Sequence, residues 1–448
     1  MSKLIISVSG LRGIVGETLT PELACRFIAS YAASIGPGPI VIGRDGRTSG
    51  PMLKAAIASA INACGRDVID ADVASTPTIG VLVRERSAAG GVQISASHNP
   101  PPYNGIKLFG DDGRVLDAQR GAKIRDGYFA GVSAWCPFDA IGSVHVESDP
   151  HQEHLEKVLD TIDVELVRSK AFSVLLDSNH GAGGLLGTRL LESLGCRVDA
   201  VGVEPTGQFA HVPEPTADNL MGIASRVAKA DCGLGFCQDP DADRLALIDE
   251  NGRYIGEEAT LALCVTRAMM VGRTEGPIVI NGATSSMSTI VAARHGVKTL
   301  RSSVGEANVA DMMIASGAAY GGEGNGGPID PAVGYVRDSF VGMAQVLDLM
   351  ARTGKPLSEL ADELPKLAIV KDKAEISAER LPVIFERLQS HFHDAEAATG
   401  DGLRLQWSDC WLLVRGSNTE PIVRMIAEAE TQEQAQALCD AAAGLMTE

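Results

Sequence analysis

The stretch Phe172-Ser173-Val174-Leu175-Leu176-Asp177-Ser178-Asn179-His180-Gly181-Ala182-Gly183-Gly184 decides how this chain folds. A short apolar run that ends in an acidic, polar and glycine-rich turn predicts a buried strand and the loop leaving it. Leu185 to Leu194 then reads as a helix stopped by Gly195. Strand, polar turn and helix together make the opening of a βαβ unit. The same events occur earlier and later. Ile40-Val41-Ile42-Gly43 predicts a strand, and Pro51 to Cys64 a helix with Ser49 as its cap and Gly65 as its stop. Asp67 to Val73 returns as a strand and Pro77 to Arg84 as a helix. Pro277-Ile278-Val279-Ile280 opens a third round, with Ser285 to His295 as its helix. Three rounds of similar size imply three related α/β domains, although few residues match between them.

The tail reads differently. Leu403 to Trp407, Cys410 to Val414 and Ile422 to Ala427 predict strands, and Gln432 to Met446 a terminal helix opened by a Thr431–Gln434 capping box. Strands followed by one helix make a smaller α+β domain. Two stretches, near Val132 to Pro150 and near Leu364 to Lys373, read as connections. The fold class expected is therefore α/β, with three similar mixed α/β domains and a smaller C-terminal α+β domain. A length of 448 residues accommodates that number of cores.

Composition excludes several classes. Apolar residues make up 45% of the chain but form no run near the ~20 residues of a membrane span. The first residues lack the apolar stretch and cleavage site of a secretory signal. Nine cysteines include one close pair, Cys232 and Cys237, and that spacing with no second pair is a poor zinc signal. Reduced thiols in a cytoplasmic protein are expected. A formal charge of −18 argues against nucleic acid or an anionic membrane surface as partner. It leaves room for an anionic small molecule if arginines and lysines gather in one cleft.

Four loops could carry chemistry. Ser95-Ala96-Ser97-His98-Asn99-Pro100 runs on to Asn104-Gly105-Ile106-Lys107 and holds a hydroxyl beside a histidine, with a lysine ten residues beyond Ser97. Its prolines mark an ordered loop, and by itself a Ser-His neighbour pair is turn chemistry. Asp239-Pro240-Asp241-Ala242-Asp243-Arg244 places carboxylates at alternate positions on a tight loop, which suits a hard cation such as Mg2+. An EF-hand is ruled out because Arg244 stands where the calcium loop turns on glycine, and Pro240 intrudes. Gly321 to Gly327 contains a G-x-G-x-x-G pattern, but Pro328 and Pro331 follow where a dinucleotide-binding helix would begin. A loop bearing Glu323 and Asn325 fits sugar hydroxyls better. Arg415-Gly416-Ser417-Asn418-Thr419-Glu420-Pro421, with Arg424 after it, offers an arginine, hydroxyls and backbone N–H groups to an anion. Near the N-terminus, Ser9-Gly10-Leu11-Arg12-Gly13 and Gly43-Arg44-Asp45-Gly46-Arg47 are arginine-bearing turns, and Arg12 is the expected anion contact.

With these four loops in this order, the chain resembles the α-D-phosphohexomutases over essentially its whole length. That superfamily comprises the phosphoglucomutases, phosphomannomutases and phosphoglucosamine mutases. The resemblance implies four domains around a central cleft, here 1–148, 149–254, 255–366 and 367–448. It implies that Ser97 is carried as phosphoserine and that Mg2+ sits on Asp239, Asp241, Asp243 and the Ser97 phosphate. It implies that Arg12 and Lys107 offset charge, and that Glu323, Asn325 and Arg244 face the sugar. Arg415, Ser417, Asn418 and Thr419, with Arg424 nearby, would hold the phosphate that is not reacting. A hexose 1,6-bisphosphate would be both intermediate and activator. The partners implied are hexose phosphates, and the enzyme would be a monomer or homodimer.

Two departures stand out. Many relatives end the sugar loop in Ser-Gly-His, with the histidine a proposed acid/base; here Asn325-Gly326-Gly327 replaces it. Lys107 or His98 is then the candidate for proton transfer. The loop Asn281-Gly282-Ala283-Thr284-Ser285 lacks the lysine of bacterial enzymes that use mannose and glucose phosphates. The Glu-Gly-Asn-Gly-Gly form is similar to archaeal-type phosphoglucosamine mutases, which points to glucosamine phosphate. The rival readings are a phosphomannomutase/phosphoglucomutase, an inactive sugar-phosphate-binding protein, and a Mg2+ phosphatase with Asp239 as nucleophile.

Overall fold

The structure is a computed structural model that describes residues 4–8, 10–230, 232–416 and 422–447. Its strands form four sheets, and the first three contain one repeated topology. In the second sheet Ser173–Asp177 lies between Arg197–Val201 and Leu234–Gln238, parallel to both, and Leu245–Asp249 runs antiparallel beyond Leu234–Gln238. In the third, Ile278–Asn281 lies between Thr299–Ser302 and Tyr320–Glu323, and Gly327–Ile329 is the antiparallel strand. In the first, Ile40–Arg44 lies between Val68–Val73 and Gly90–Ile94, with Tyr103–Phe109 antiparallel beyond. Gly10–Ile14, Ile5–Ser7 and Val144–Val146 extend that first sheet at its two edges.

The repetition explains why the rounds were legible. The central parallel strands are covered on both faces, so they read as continuous apolar runs. Leu234–Gln238, for example, is buried at every position. The antiparallel fourth strand of each unit is entered by a short connection that leaves the end of the third. In open α/β sheets the carboxyl ends of parallel strands are where ligands bind. Three equivalent connections emerge there: residues 95–102, 239–244 and 324–326.

Several local expectations are corrected. Val132 to Pro150 is not only a connection, because Val144–Val146 pairs with Val68–Asp70. That strand is three residues long and exposed throughout, so it leaves no apolar pattern to read. Leu364 to Lys373 runs into the strand Ala368–Ala374, paired with Val423–Ala429. Lys371, Asp372 and Lys373 mask it, as suits an edge strand. The last domain also has a helix, Leu381–His391, and a strand, Glu396–Gly400, that patterning did not show. Its sheet is thus five-stranded. Asn104 to Lys107 belong to the strand Tyr103–Phe109 rather than to the serine loop. Ser49 makes no cap bond; its Oγ accepts from Asn104 Nδ2 at 2.9 Å. Thr431 and Gln434 do close a capping box, the Thr431 N–H donating to Gln434 Oε1 and the Gln434 N–H to Thr431 Oγ1.

The second and third sheets share one apolar core, with the helices Glu257–Met270 and Ser339–Thr353 inside it. The last domain rests on the third through Trp411, Leu413 and Ile426, packed against Ala283 and Val304. No helix among the described residues is long and apolar enough to cross a membrane.

Candidate active site

Ser97 stands at the tip of the first connection with φ +48°, a left-handed conformation that only surrounding structure can hold in a non-glycine residue. Arg47 supplies that structure. Its Nη2 donates to the carbonyls of Ser97 and Asn99 at 2.6 Å each, and its Nη1 to those of Pro100 and Tyr103 at 2.9 and 3.0 Å. Asp45 anchors the guanidinium from behind, Nε to Oδ2 3.1 Å, and accepts from Ser95 Oγ at 2.7 Å. The ring of Phe209 covers Arg47 at 5.0 Å. Burial pushes the Asp45 carboxyl up to about 6 despite Arg47. The sequence points to Arg12 as the anion contact; the Gly43 to Arg47 turn is the signal it offers for Arg47.

Held this way, Ser97 Oγ donates to Asp239 Oδ2 at 2.8 Å. Asp239, Asp241 and Asp243 are fully buried, and one oxygen from each lies within 4.8 Å of the others. Burial and the two neighbouring aspartates hold the Asp239 carboxyl well above its usual range. Burial would raise Asp243 as well, but Arg337, Lys107 and Arg244 outweigh it and hold that carboxyl down. Thr76 Oγ1 donates to Asp241 Oδ2 at 2.5 Å, and Lys107 Nζ to Asp243 Oδ2 at 3.0 Å. Asp241 Oδ1 and Asp243 Oδ1 are buried with no hydrogen-bond donor among the described residues, although Arg244 Nε lies 3.9 Å from the latter. Buried acceptors without donors are rare and costly. A close cluster of three carboxylates that keeps such acceptors fits a divalent cation.

Around the serine the charge is positive. Arg12 Nη1 donates to Asn99 Oδ1 at 2.7 Å; burial, with Arg244 and Arg47 nearby, lowers the Arg12 pKa. Arg244 is anchored by its backbone N–H on Asp239 Oδ1 at 3.1 Å, while its Nε is buried without an acceptor among the described residues. His98 Nδ1 lies 3.4 Å from Ser97 Oγ. Burial, Arg244 and Arg12 push its pKa down to about 2, so the imidazole is neutral at ordinary pH. Burial would lower Lys107, but Asp243, Asp241 and Glu306 together raise it and keep the ammonium charged.

The third connection is held more tightly than a loop reading suggested. Glu323 is 4% exposed. Its Oε1 accepts from Asn281 Nδ2 at 2.6 Å and the Gly305 N–H at 3.1 Å, and its Oε2 accepts from Arg337 Nη1 at 2.8 Å. Asn325 Oδ1 is buried without a donor among the described residues. Glu257 and Glu258 lie behind, each with a donorless Oε1, and burial pushes both carboxyls up to about 7. Neither glutamate, nor Arg337, nor Thr76, was visible as a site residue in the sequence.

Arg415 lies at the end of the strand Trp411–Gly416, bound through Nε and Nη2 to Asp401 Oδ1 at 3.1 and 2.9 Å. Asp401 Oδ2 in turn accepts from the Val304 N–H at 2.7 Å, tying this end of the last domain to the third. Arg424 is exposed and pairs in register with Arg415. Ser417, Asn418 and Thr419 lie outside the described residues.

Four family descriptions match the chain in order. Residues 3–134, 150–252 and 257–368 match the alpha/beta/alpha domains I, II and III of phosphoglucomutase/phosphomannomutase, and residues 367–445 match its C-terminal domain. The chain belongs to the phosphoglucomutase/phosphomannomutase family. As a member it is a phosphohexomutase, an isomerase that moves phosphate on a hexose. A phosphoglucomutase/phosphomannomutase of Thermococcus kodakarensis is 37% identical, over 95% of each chain. A protein of Methanopyrus kandleri named probable phosphoglucosamine mutase is 34% identical, over 96% of this chain and 95% of its own. Among solved structures, a phosphoglucomutase/phosphomannomutase family protein of Burkholderia thailandensis superposes with a TM-score of 0.85. It is 25% identical, with 97% of this chain and 95% of that one covered.

Proposed function

We propose that this phosphohexomutase interconverts hexose 6-phosphates and hexose 1-phosphates through a phosphoserine at Ser97 and a bound hexose 1,6-bisphosphate. Asp239, Asp241 and Asp243 would hold Mg2+, and glucosamine phosphate would be the preferred substrate. The observation that carries this reading is the Ser97 Oγ–Asp239 Oδ2 bond of 2.8 Å beside the donorless oxygens of Asp241 and Asp243. Bound there, the cation would draw charge from the phosphoryl oxygens and lower the cost of transfer.

The chain's own residues do the rest by positioning and charge, as phosphoryl transfer requires. Arg47 fixes the serine loop so that the hydroxyl oxygen faces the acidic loop. Lys107, kept protonated by its carboxylates, and Arg12 offset the charge gathering on the transferring group. Of the two proton-transfer candidates, His98 has the neutral ring and lies within 3.4 Å of the serine oxygen. Arg244 Nε and Asn325 Oδ1 are a donor and an acceptor left for the sugar. Arg415 and the loop after it would hold the second phosphate.

Glucosamine phosphate is favoured by the acceptor on the sugar loop and the carboxylates behind it. Asn325 Oδ1 and Glu257 Oε1 lack donors among the described residues, and Glu258 Oε1 has only Lys371 Nζ, at 3.6 Å. A 2-ammonium group brings three donors and a positive charge to such a surface. The competing reading is a phosphomannomutase/phosphoglucomutase, as the Thermococcus kodakarensis relative is named. Relative kcat/KM on glucosamine, glucose and mannose phosphates separates the two, and parity or a preference for mannose removes the glucosamine assignment. A phosphatase with Asp239 as nucleophile would instead release inorganic phosphate, and that release would survive Ser97→Ala. The main test is intact-mass measurement after incubation with glucose 1,6-bisphosphate, with the site mapped. One phosphate on Ser97 is expected; none, or one elsewhere, overturns the reading.

A further inference from the structure

Arg337 stands between the acidic loop and the sugar loop. It precedes the helix Ser339–Thr353, whose capping residue Asp338 is fixed by the Phe340 and Val341 N–H groups and by His154 Nε2 at 2.7 Å. From that anchored base the guanidinium reaches both ways. Its Nη2 donates to Asp243 Oδ2 at 2.5 Å, and its Nη1 to Glu323 Oε2 at 2.8 Å. Its backbone N–H donates to Glu306 Oε1 at 2.8 Å. The residue is 7% exposed, and its Nε has no acceptor among the described residues.

The side chain also decides what may stand opposite it. A Cβ at Gly327 would lie 2.5, 2.8 and 2.9 Å from Arg337 Cδ, Cγ and Cβ, closer than real contacts allow. The sugar loop is therefore bare at 327 because the Arg337 stem fills that space.

We propose that Arg337 is a positioning residue shared by the acidic loop and the sugar loop. Its fork orients Glu323 for the hexose while competing with a bound cation for Asp243. The proposal rests on the proposed function for the roles of the two loops. A planar guanidinium can hold two carboxylates at fixed angles, which a lysine ammonium cannot reproduce.

Sharing of this kind has an unusual signature. Arg337→Gln removes the charge that competes for Asp243 and the donor that orients Glu323. It should tighten Mg2+ binding about tenfold while weakening glucosamine 6-phosphate binding about tenfold to a hundredfold, since a charged hydrogen bond is lost. Arg337→Lys restores the charge without the fork, so Mg2+ affinity should return near wild type while sugar-phosphate affinity stays low. Damage to the fold would weaken both ligands together. The measurement is calorimetric titration of the full-length chain with Mg2+ alone and with glucosamine 6-phosphate alone.

Gly327→Ala provides a second variant, because its Cβ displaces the Arg337 stem while the charge is kept; sugar-phosphate binding should weaken about tenfold with Mg2+ affinity near wild type, as in Arg337→Lys. Wild type that binds both ligands, beside variants that match it within twofold or weaken both in parallel, overturns the proposal alone. Wild type that binds neither overturns the proposed function and this inference together.

Discussion

Asp243 and Asp348 are both fully buried carboxylates held by arginine, and the rest of their surroundings differ completely. Asp348 lies in the shared core of the second and third domains. Its Oδ2 accepts from Arg267 Nε at 2.7 Å and Arg352 Nε at 2.9 Å, and its Oδ1 from the Asp163 N–H at 3.4 Å. Both of its oxygens have donors. Asp243 has Lys107 and Arg337 on one oxygen, while its other oxygen has Arg244 Nε at 3.9 Å but no hydrogen-bond donor among the described residues, with two further aspartates beside it. Burial with a cation is thus common to a structural ion pair and a candidate metal site. Acceptors left without hydrogen bonds in a close cluster of several carboxylates are what separate them.

The comparison can be broken most directly at the serine. Ser97→Ala should lower mutase activity by at least about a thousandfold, as removal of a nucleophile does. Thermal unfolding should be nearly unchanged, since a loop hydroxyl adds little to packing. Turnover near wild type in this variant would falsify the phosphoserine route.

A sharper pair of variants exchanges the two aspartates. Asp241→Asn should lower kcat about a hundredfold with little change in sugar-phosphate KM, consistent with loss of electrostatic stabilisation. It should also raise the thermal stability of metal-free protein, because it relieves repulsion among the three carboxylates. Asp348→Asn should do the reverse. It leaves Arg267 buried without its counter-charge and should cost about 3 kcal/mol in denaturant unfolding. The folded fraction should keep wild-type kcat and KM. If Asp348→Asn changes kcat as much as Asp241→Asn, the distinction between the two clusters fails.

The smallest effect concerns pH. Glu258 faces Lys371, Glu257 and Glu428 and accepts from the Ser285 N–H at 2.9 Å. Burial raises its folded pKa from 4.5 to about 7. A carboxyl with a raised pKa keeps its proton longer in the folded state than in the unfolded one. Its contribution is therefore fully present below about 4.5 and is lost as the pH climbs through about 7. Unfolding free energy should fall over that window, and Glu258→Gln should flatten the fall by about 1–3 kcal/mol. An unchanged pH profile in the variant would assign the slope to other groups.

The parts of the fold read from sequence were those in which one residue pattern reports one environment. Ile40 to Ile42, Val174 to Leu176 and Ile278 to Ile280 are apolar because their strands are covered on both sides, and the polar turns after the third strands carry the chemistry. Val144–Val146 escaped because three exposed residues have no periodicity. Ala368–Ala374 escaped because its charges describe a sheet edge rather than a strand. The candidate site divides in the same way. Ser97, Asp239, Asp241 and Asp243 were legible because each loop is short and its residue types are unusual together. Arg47 and Arg337 were not. Each acts on a loop far away in the chain, Arg47 on carbonyls 50 to 56 positions distant and Arg337 on Asp243 at 94.

By itself the amino-acid order determined the three repeated units, the loops that end them and the chemical character of each loop. Only the tertiary structure decided which oxygens are left without donors, which pKa values burial shifts and which arginine joins two loops. The physical reason is range. Patterning and turn chemistry are set by neighbours in the chain, whereas burial, desolvation and charge pairing depend on what the fold brings within a few ångströms.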